Sequence, residues 1–101
     1  KVDVCRWLAY RVAWLQKNGM EVSYQASMSK IFGSELMQDI GQYAMELLGL
    51  YAQLLPESKW APLHGDIEKW FLGNLGRTIG GGTSEIQRNL IATRGLGLPN
   101  A

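Results

Sequence analysis

The chain has 101 residues, 47% of them hydrophobic and 19% charged, enough for one hydrophobic core but not two, and too apolar for disorder. Ten Lys and Arg against nine Asp and Glu leave a formal charge of +1 with no dense basic block, which excludes a field that collects nucleic acid. A single Cys5 excludes an internal disulfide, a single His64 with no cysteine cluster makes a poor metal site, and no apolar run nears the roughly 20 residues that span a bilayer.

At the start, Lys1, Asp3 and Arg6 leave no cleavable apolar region of the signal-peptide kind. The absence of an initiator Met reads as a trimmed or proteolytic piece of a longer protein. Val4, Leu8, Val12 and Leu15 then recur at intervals of three and four, with Trp7 and Trp14 flanking the stripe, which predicts a helix over about 3–18. Cys5 lies inside that pattern and reads as a buried small hydrophobe. Asn18-Gly19 ends the helix, glycine supplying the positive dihedral of a helix stop.

A second helix is predicted over about 23–54, where Met28, Ile31, Phe32, Leu36, Ile40, Tyr43, Leu47 and Leu48 repeat at helical spacing. Lys30, Glu35 and Asp39 fall off that stripe, and Ala26, Ser27, Gly33, Ser34 and Gly41 would let a neighbouring helix approach closely. Pro56 stops the pattern. Residues 55–65 read as a connection anchored by Trp60 and Leu63. Ile67, Trp70, Phe71 and Leu75 mark one face of a shorter helix over 66–75, and a last helix is predicted over 84–94 before Gly95, Gly97 and Pro99. No strand signal intervenes, so the fold is read as an all-α, antiparallel helical bundle in one domain. A helix of about 30 residues would run roughly 45 Å and needs packing along its whole length. The bundle is therefore either free-standing or completed by a further helix or another chain.

The most specific segment is Thr78-Ile-Gly-Gly-Gly-Thr-Ser-Glu-Ile-Gln-Arg88. Ser84 and Gln87 fit a capping box, and Thr83 is a second candidate cap. Gly80, Gly81 and Gly82 permit dihedrals closed to other residues and allow close backbone approach. Free N–H groups at a helix start favour an anionic oxygen or a polarised carbonyl. No strand precedes the glycines and no Lys-Ser or Lys-Thr follows, so this is not a nucleotide fingerprint. A ligand-binding corner and a plain loop with a cap are both compatible with these residues, and Ile86, Leu90 and Ile91 face the core in either case.

The run from Ile79 to Pro99, IGGGTSEIQRNLIATRGLGLP, resembles the C-terminal signature of the flavin-dependent acyl-CoA dehydrogenases. Tyr24-Gln-Ala-Ser-Met-Ser-Lys-Ile-Phe-Gly-Ser-Glu35 and Ala44-Met-Glu-Leu-Leu-Gly49 are similar to that family's long helix, and Arg6, Ala9, Tyr10 and Trp14 are compatible with the helix before it. The resemblance implies the C-terminal helical domain of a three-domain protein, lacking the first helix of the family's four-helix domain. It further implies FAD as cofactor, an acyl-CoA substrate oxidised to the 2,3-enoyl-CoA, and a flavin electron-acceptor protein or other acceptor. A homo- or hetero-oligomer, usually a dimer-based tetramer, belongs to the same pattern, in a bacterial cytoplasm or a mitochondrial matrix.

In many members the catalytic base is a glutamate two residues before the threonine of the signature. That position is Gly81 here, which has no side-chain proton acceptor, so this segment supplies no base. Its backbone N–H remains available in the resemblance to bind the thioester carbonyl. Gly82, Thr83 and Glu85 match positions near the flavin, while Glu46 and Gly49 match the adenine end of a flavin held across a subunit interface. Two positions depart from the pattern: Glu46 stands where the family often has Gln, and Leu50 where it often has a second Gly. The isolated chain is expected to be inactive, either as a fragment of such an enzyme or as a non-catalytic assembly or regulatory module that keeps the packing signature.

Overall fold

A computed structural model describes residues 1–100. Among them every regular element is helical, in four α-helices with short 3₁₀ and π turns between or after them. We label the α-helices α1 (Val2–Lys17), α2 (Ser23–Leu48), α3 (Asp66–Leu75) and α4 (Ser84–Leu90). The fold is an all-α helical bundle, and the chain divides into two compact units. One holds Lys1–Gly33 with the segment from Thr78 onward; the other is Ser34–Arg77.

In the first unit, α1 ends where Asn18 caps it, and Gly19 takes the left-handed conformation at φ 68° that turns the chain. Cys5, Leu8, Val12 and Leu15 form the half-buried face of α1. Trp7, Tyr10 and Trp14 stay exposed, with Trp7 and Tyr10 edge to face at 6.0 Å. The pairing with α2 is antiparallel: Ala9, Val12, Ala13 and Gln16 share a groove of about 360 Å³ with Ala26, Ser29 and Lys30. Nearer the start of α1, a Cβ on Gly33 would lie 3.5 Å from Cys5 Sγ. Cys5 is thus half-buried against a glycine, not the fully buried hydrophobe its pattern predicts. The reason is that no residue of α1 is buried at all.

Burial along α2 follows its small residues. Ser27, Ser34 and Gly41, seven apart, are buried together with Leu36, whereas Ile40, Tyr43 and Leu47 of the predicted stripe are exposed. Large side chains keep neighbours away, and the small ones admit them. The α-helix stops at Leu48, short of the predicted 54, because Gly49 turns left-handed at φ 56° and Gly49–Gln53 continues as a 3₁₀ turn.

In the second unit, a Cβ on Gly41 would lie 3.4 Å from the Phe71 ring and 3.6 Å from the Trp70 ring, so α3 packs tightly over α2. Gln38 Nε2 donates to the carbonyls of Asn74 and Leu75 at the end of α3. The connection 55–65 is not anchored by Trp60 and Leu63, both of which are 66% exposed. Trp60 instead lies under the Lys59 ammonium, at 5.2 Å. The anchors are Ala52 and Gly65, which are buried. Gly65 is left-handed at φ 75°, and a Cβ there would come within 2.8 Å of the Pro56 nitrogen. Leu63 and His64 precede it with φ of 49° and 55°, so three consecutive residues turn left-handed before α3 begins.

Candidate functional site

The glycine corner lies wholly within the first unit. Gly81 and Gly82 are left-handed at φ 71° and 94°, and Thr83 then extends at φ −62°, ψ 161° as the N-cap of α4. Thr83 Oγ1 accepts from the Ile86 N–H at 3.3 Å, and the Gln87 N–H donates to the Thr83 carbonyl at 3.0 Å. The cap is therefore Thr83, and the Ser84–Gln87 capping box predicted from spacing does not form. Ser84 is buried, its Oγ without a hydrogen-bond partner. The Gln87 amide turns backward beyond the cap and donates from Nε2 to the Gly81 carbonyl at 2.8 Å.

A second side chain reaches the same loop from α2. Lys30 Nζ donates to the Gly82 carbonyl at 2.7 Å and to the Thr78 carbonyl at 3.1 Å. The inner face of α4 is accordingly polar. Ser84 and Gln87 are buried, whereas Ile86 is exposed and Leu90 and Ile91 are half-buried, so the predicted apolar core face is displaced. Downstream, Ile91–Gly95 closes with a π turn. Arg94 donates to Ser23 Oγ at 2.7 Å, and a Cβ on Gly95 would lie 3.2 Å from the Tyr24 ring. These contacts tie the end of the corner to the start of α2.

Glu85 is exposed, and its carboxyl is held below the ordinary glutamate range. Its own backbone N–H contributes most, then a hydrogen bond from the Thr83 hydroxyl, then the charges of Arg88 and Lys30. It is an ionised acceptor at neutral pH. On the outer side of the loop, a Cβ on Gly81 would find nothing within 4 Å, so a ligand can approach that backbone closely. At Gly82 the opposite holds, since a Cβ would sit 2.8 Å from Gln87 Nε2.

Gly81, Gly82, Thr83 and Glu85 are thus gathered in one corner. Glu46 and Gly49 belong to the second unit. There the exposed Glu46 accepts from Gln42 Nε2 at 3.0 Å, Gly49 has open space where a Cβ would be, and Leu50 is 82% exposed. Lys30 and Gln87 were not singled out by the sequence as loop ligands. Their partners are carbonyls, which carry no residue identity, and Lys30 reaches across 48 and 52 residues. Among the described residues no group of three or more His, Cys, Asp and Glu could hold a metal, and no helix is long and apolar enough to cross a membrane.

The glycine corner thus combines a backbone loop held by Lys30 and Gln87 with an ionised acceptor at Glu85, and has no proton-accepting side chain at Gly81. The chain belongs to the acyl-CoA dehydrogenase family: the model of the acyl-CoA dehydrogenase C-terminal domain matches residues 1–96. The acyl-CoA dehydrogenase FadE26 of Mycobacterium tuberculosis is 43% identical over all of this chain and 26% of its own length. IpdE1, an acyl-CoA dehydrogenase of the same organism, is 32% identical over 90% of this chain and 23% of its own. Among solved structures, the Tcur3481-Tcur3483 steroid ACAD superimposes with a TM-score of 0.91 at 30% identity, over 98% of this chain and 26% of that one. The ChsE4-ChsE5 complex from M. tuberculosis gives a TM-score of 0.87 at 36% identity over the same shares, 98% and 26%. The chain therefore spans about a quarter of the length of these relatives. Dependence on FAD is a general property of the family.

Proposed function

We propose that this chain is the C-terminal helical part of an FAD-dependent acyl-CoA dehydrogenase that oxidises acyl-CoA thioesters to 2,3-enoyl-CoA, and that it supplies a backbone wall of the site and not the base. The observation that carries this reading is the open, left-handed Gly81 beside an ordered helix cap, in a chain matched by the family model over residues 1–96.

The residues present fit the flavin at the corner. Glu85 is an exposed, ionised acceptor, and the open face at Gly81 leaves room for a planar ring system. The Thr83 hydroxyl already donates to Glu85 and accepts from Ile86, so Thr83 orders the corner more than it offers a fresh donor. In the second unit, the open face of Gly49 suits the adenine end, with Glu46 offering a carboxylate where an amide is usual. Bound FAD would take up the hydride that leaves the β-carbon.

The chain's own residues act on the other half of the reaction. The Gly81 N–H binds the thioester carbonyl and stabilises the enolate-like charge as the α-proton leaves. Glycine cannot accept that proton, so a carboxylate elsewhere in the parent protein or its partner subunit does. A further helix of the parent protein completes the bundle over α1, whose residues are all at least partly exposed. The ChsE4-ChsE5 complex among the structural neighbours supports a hetero-oligomeric arrangement here too.

The test is made on the purified full-length protein, with its partner subunit if one co-purifies. It is expected to carry FAD absorbance and to form enoyl-CoA with an artificial electron acceptor. A panel of thioesters should include steroid-derived ones, because one structural neighbour is a steroid ACAD. A full-length protein with no bound flavin, or with flavin and no turnover across the panel, would overturn the reading. Turnover by the isolated 101-residue chain would overturn its predicted inactivity.

A further inference from the structure

Three consecutive glycines are the least ordered backbone a protein can place beside a substrate, since each loses more conformational freedom on folding than any other residue. The loop from Thr78 to Gly82 nevertheless has three of its carbonyls held by side chains from outside it. Lys30 bridges the two ends, at Thr78 and Gly82, and Gln87 holds Gly81 itself. From this geometry we infer that Lys30 and Gln87 are positioning residues, which fix the Gly81 backbone for the thioester carbonyl by pinning the carbonyls around it. The inference rests on the acyl-CoA dehydrogenase reading for its substrate, and not for the pinning.

The argument is geometric first. Among the described residues no peptide bond is cis, so a pinned carbonyl also fixes the N–H across the same peptide plane, pointing the other way. The pinned Gly81 and Gly82 carbonyls set the Gly82 and Thr83 N–H groups directly, while the Gly81 N–H, in the plane of the Gly80 carbonyl, is set through the residues held on either side of it, Thr78 and Gly81. Lys30 then restrains both ends of the segment that carries Gly81 with one cation, through charge-assisted hydrogen bonds stronger than neutral ones. Gln87 is buried, with its amide packed where a Cβ on Gly82 would be, so only glycine at 82 leaves room for the second pin.

Electrostatics point the same way. The Lys30 ammonium puts a positive charge behind the loop, and its field is among those that lower the Glu85 carboxyl on the exposed side. A charge on that side favours an enolate oxygen over a neutral thioester carbonyl, so it acts more strongly in the transition state than in the ground state. A lysine that served only as a structural staple would contribute to stability and leave this difference untouched.

The experiment uses the full-length, FAD-loaded protein with Lys30→Met and, separately, Gln87→Met, each keeping length while removing the donor. Hydrogen exchange of the amides at 79–83, FAD content, kcat and KM are measured for each. Exchange in the loop is expected to rise about tenfold to a hundredfold on loss of a charge-assisted bond. We expect kcat to fall by roughly tenfold or more through misplacement of the binding backbone, with FAD content retained and KM changed less than kcat. Loop exchange within twofold of the parent overturns the inference, as does raised exchange with unchanged kcat. If Lys30→Met does not fold, Gln87→Met decides alone, because the hydrogen bond it removes is the one to the Gly81 carbonyl. An unmutated protein that binds FAD and turns over no thioester defeats the acyl-CoA dehydrogenase reading; the exchange data then still decide whether the two side chains pin the loop.

Discussion

Gly81 and Gly82 are adjacent and both left-handed, yet an added methyl group would meet different surroundings at the two positions. At Gly81 it enters open space, and the cost is the backbone strain of a non-glycine at φ 71°, about 1 kcal/mol. At Gly82 it meets Gln87 Nε2 at 2.8 Å, so the glutamine must swing away and give up its bond to the Gly81 carbonyl. Strain plus a lost, partly buried hydrogen bond amounts to about 2 kcal/mol. Gly82→Ala should therefore destabilise more than Gly81→Ala in denaturant unfolding of the full-length protein. The reverse order would show that the Gln87 bond contributes nothing. Position 81 is thus tolerant in space but not in backbone angle, and a carboxylate introduced there would start from a strained main chain.

At the scale of an element, α4 illustrates what a cap does for its neighbours. The Thr83 hydroxyl accepts from the Ile86 N–H and donates a hydrogen bond to Glu85, linking the helix start to the exposed carboxylate. Thr83→Ala should cost about 1 kcal/mol of stability. It should also move the Glu85 titration upward, measured by the NMR shift of its side-chain carboxyl carbon against pH. Glu85 has a lowered pKa in the folded state, so its contribution is present above the unfolded pKa and disappears as pH falls through the folded one. The stability lost in the variant should accordingly shrink below that window. An unchanged Glu85 titration in Thr83→Ala would contradict the hydrogen bond between them. The long helix carries the matching lesson: α2 was legible as a helix from its period, but its buried line is Ser27, Ser34 and Gly41, and Gly49 turns it into a 3₁₀ turn where apolar spacing alone continues to 54.

Across the whole molecule, the large apolar side chains are mostly uncovered. Among the described residues the buried hydrophobics are Leu36 and Ala52, while Trp7 is 70% and Trp14 59% exposed. Little apolar area is removed from water for a chain of this length, and the hydrophobic term that should offset conformational entropy is correspondingly small. The isolated chain should melt below about 45 °C, the lower edge of ordinary domains, or associate with itself as concentration rises. Its tryptophan emission should be that of exposed indoles and shift to the blue in the full-length protein. A sharp, concentration-independent melt well above that temperature would show that the chain is self-sufficient.

The sequence by itself determined the helical class, the stop at Asn18-Gly19, the start of α4 to within one residue, and the family, because period, turn chemistry and an unbroken motif are local properties. It also showed that position 81 lacks a proton acceptor, which needs only the identity of one residue. Which residues are buried was decided by the tertiary structure. Close approach selects small side chains over large ones, so Trp60 and Leu63 are exposed and Gly65 serves as the anchor. The grip of Lys30 and Gln87 on the glycine loop was likewise invisible beforehand, since a hydrogen bond to a carbonyl leaves no mark in the acceptor's residue type and only the folded chain brings donor and acceptor together.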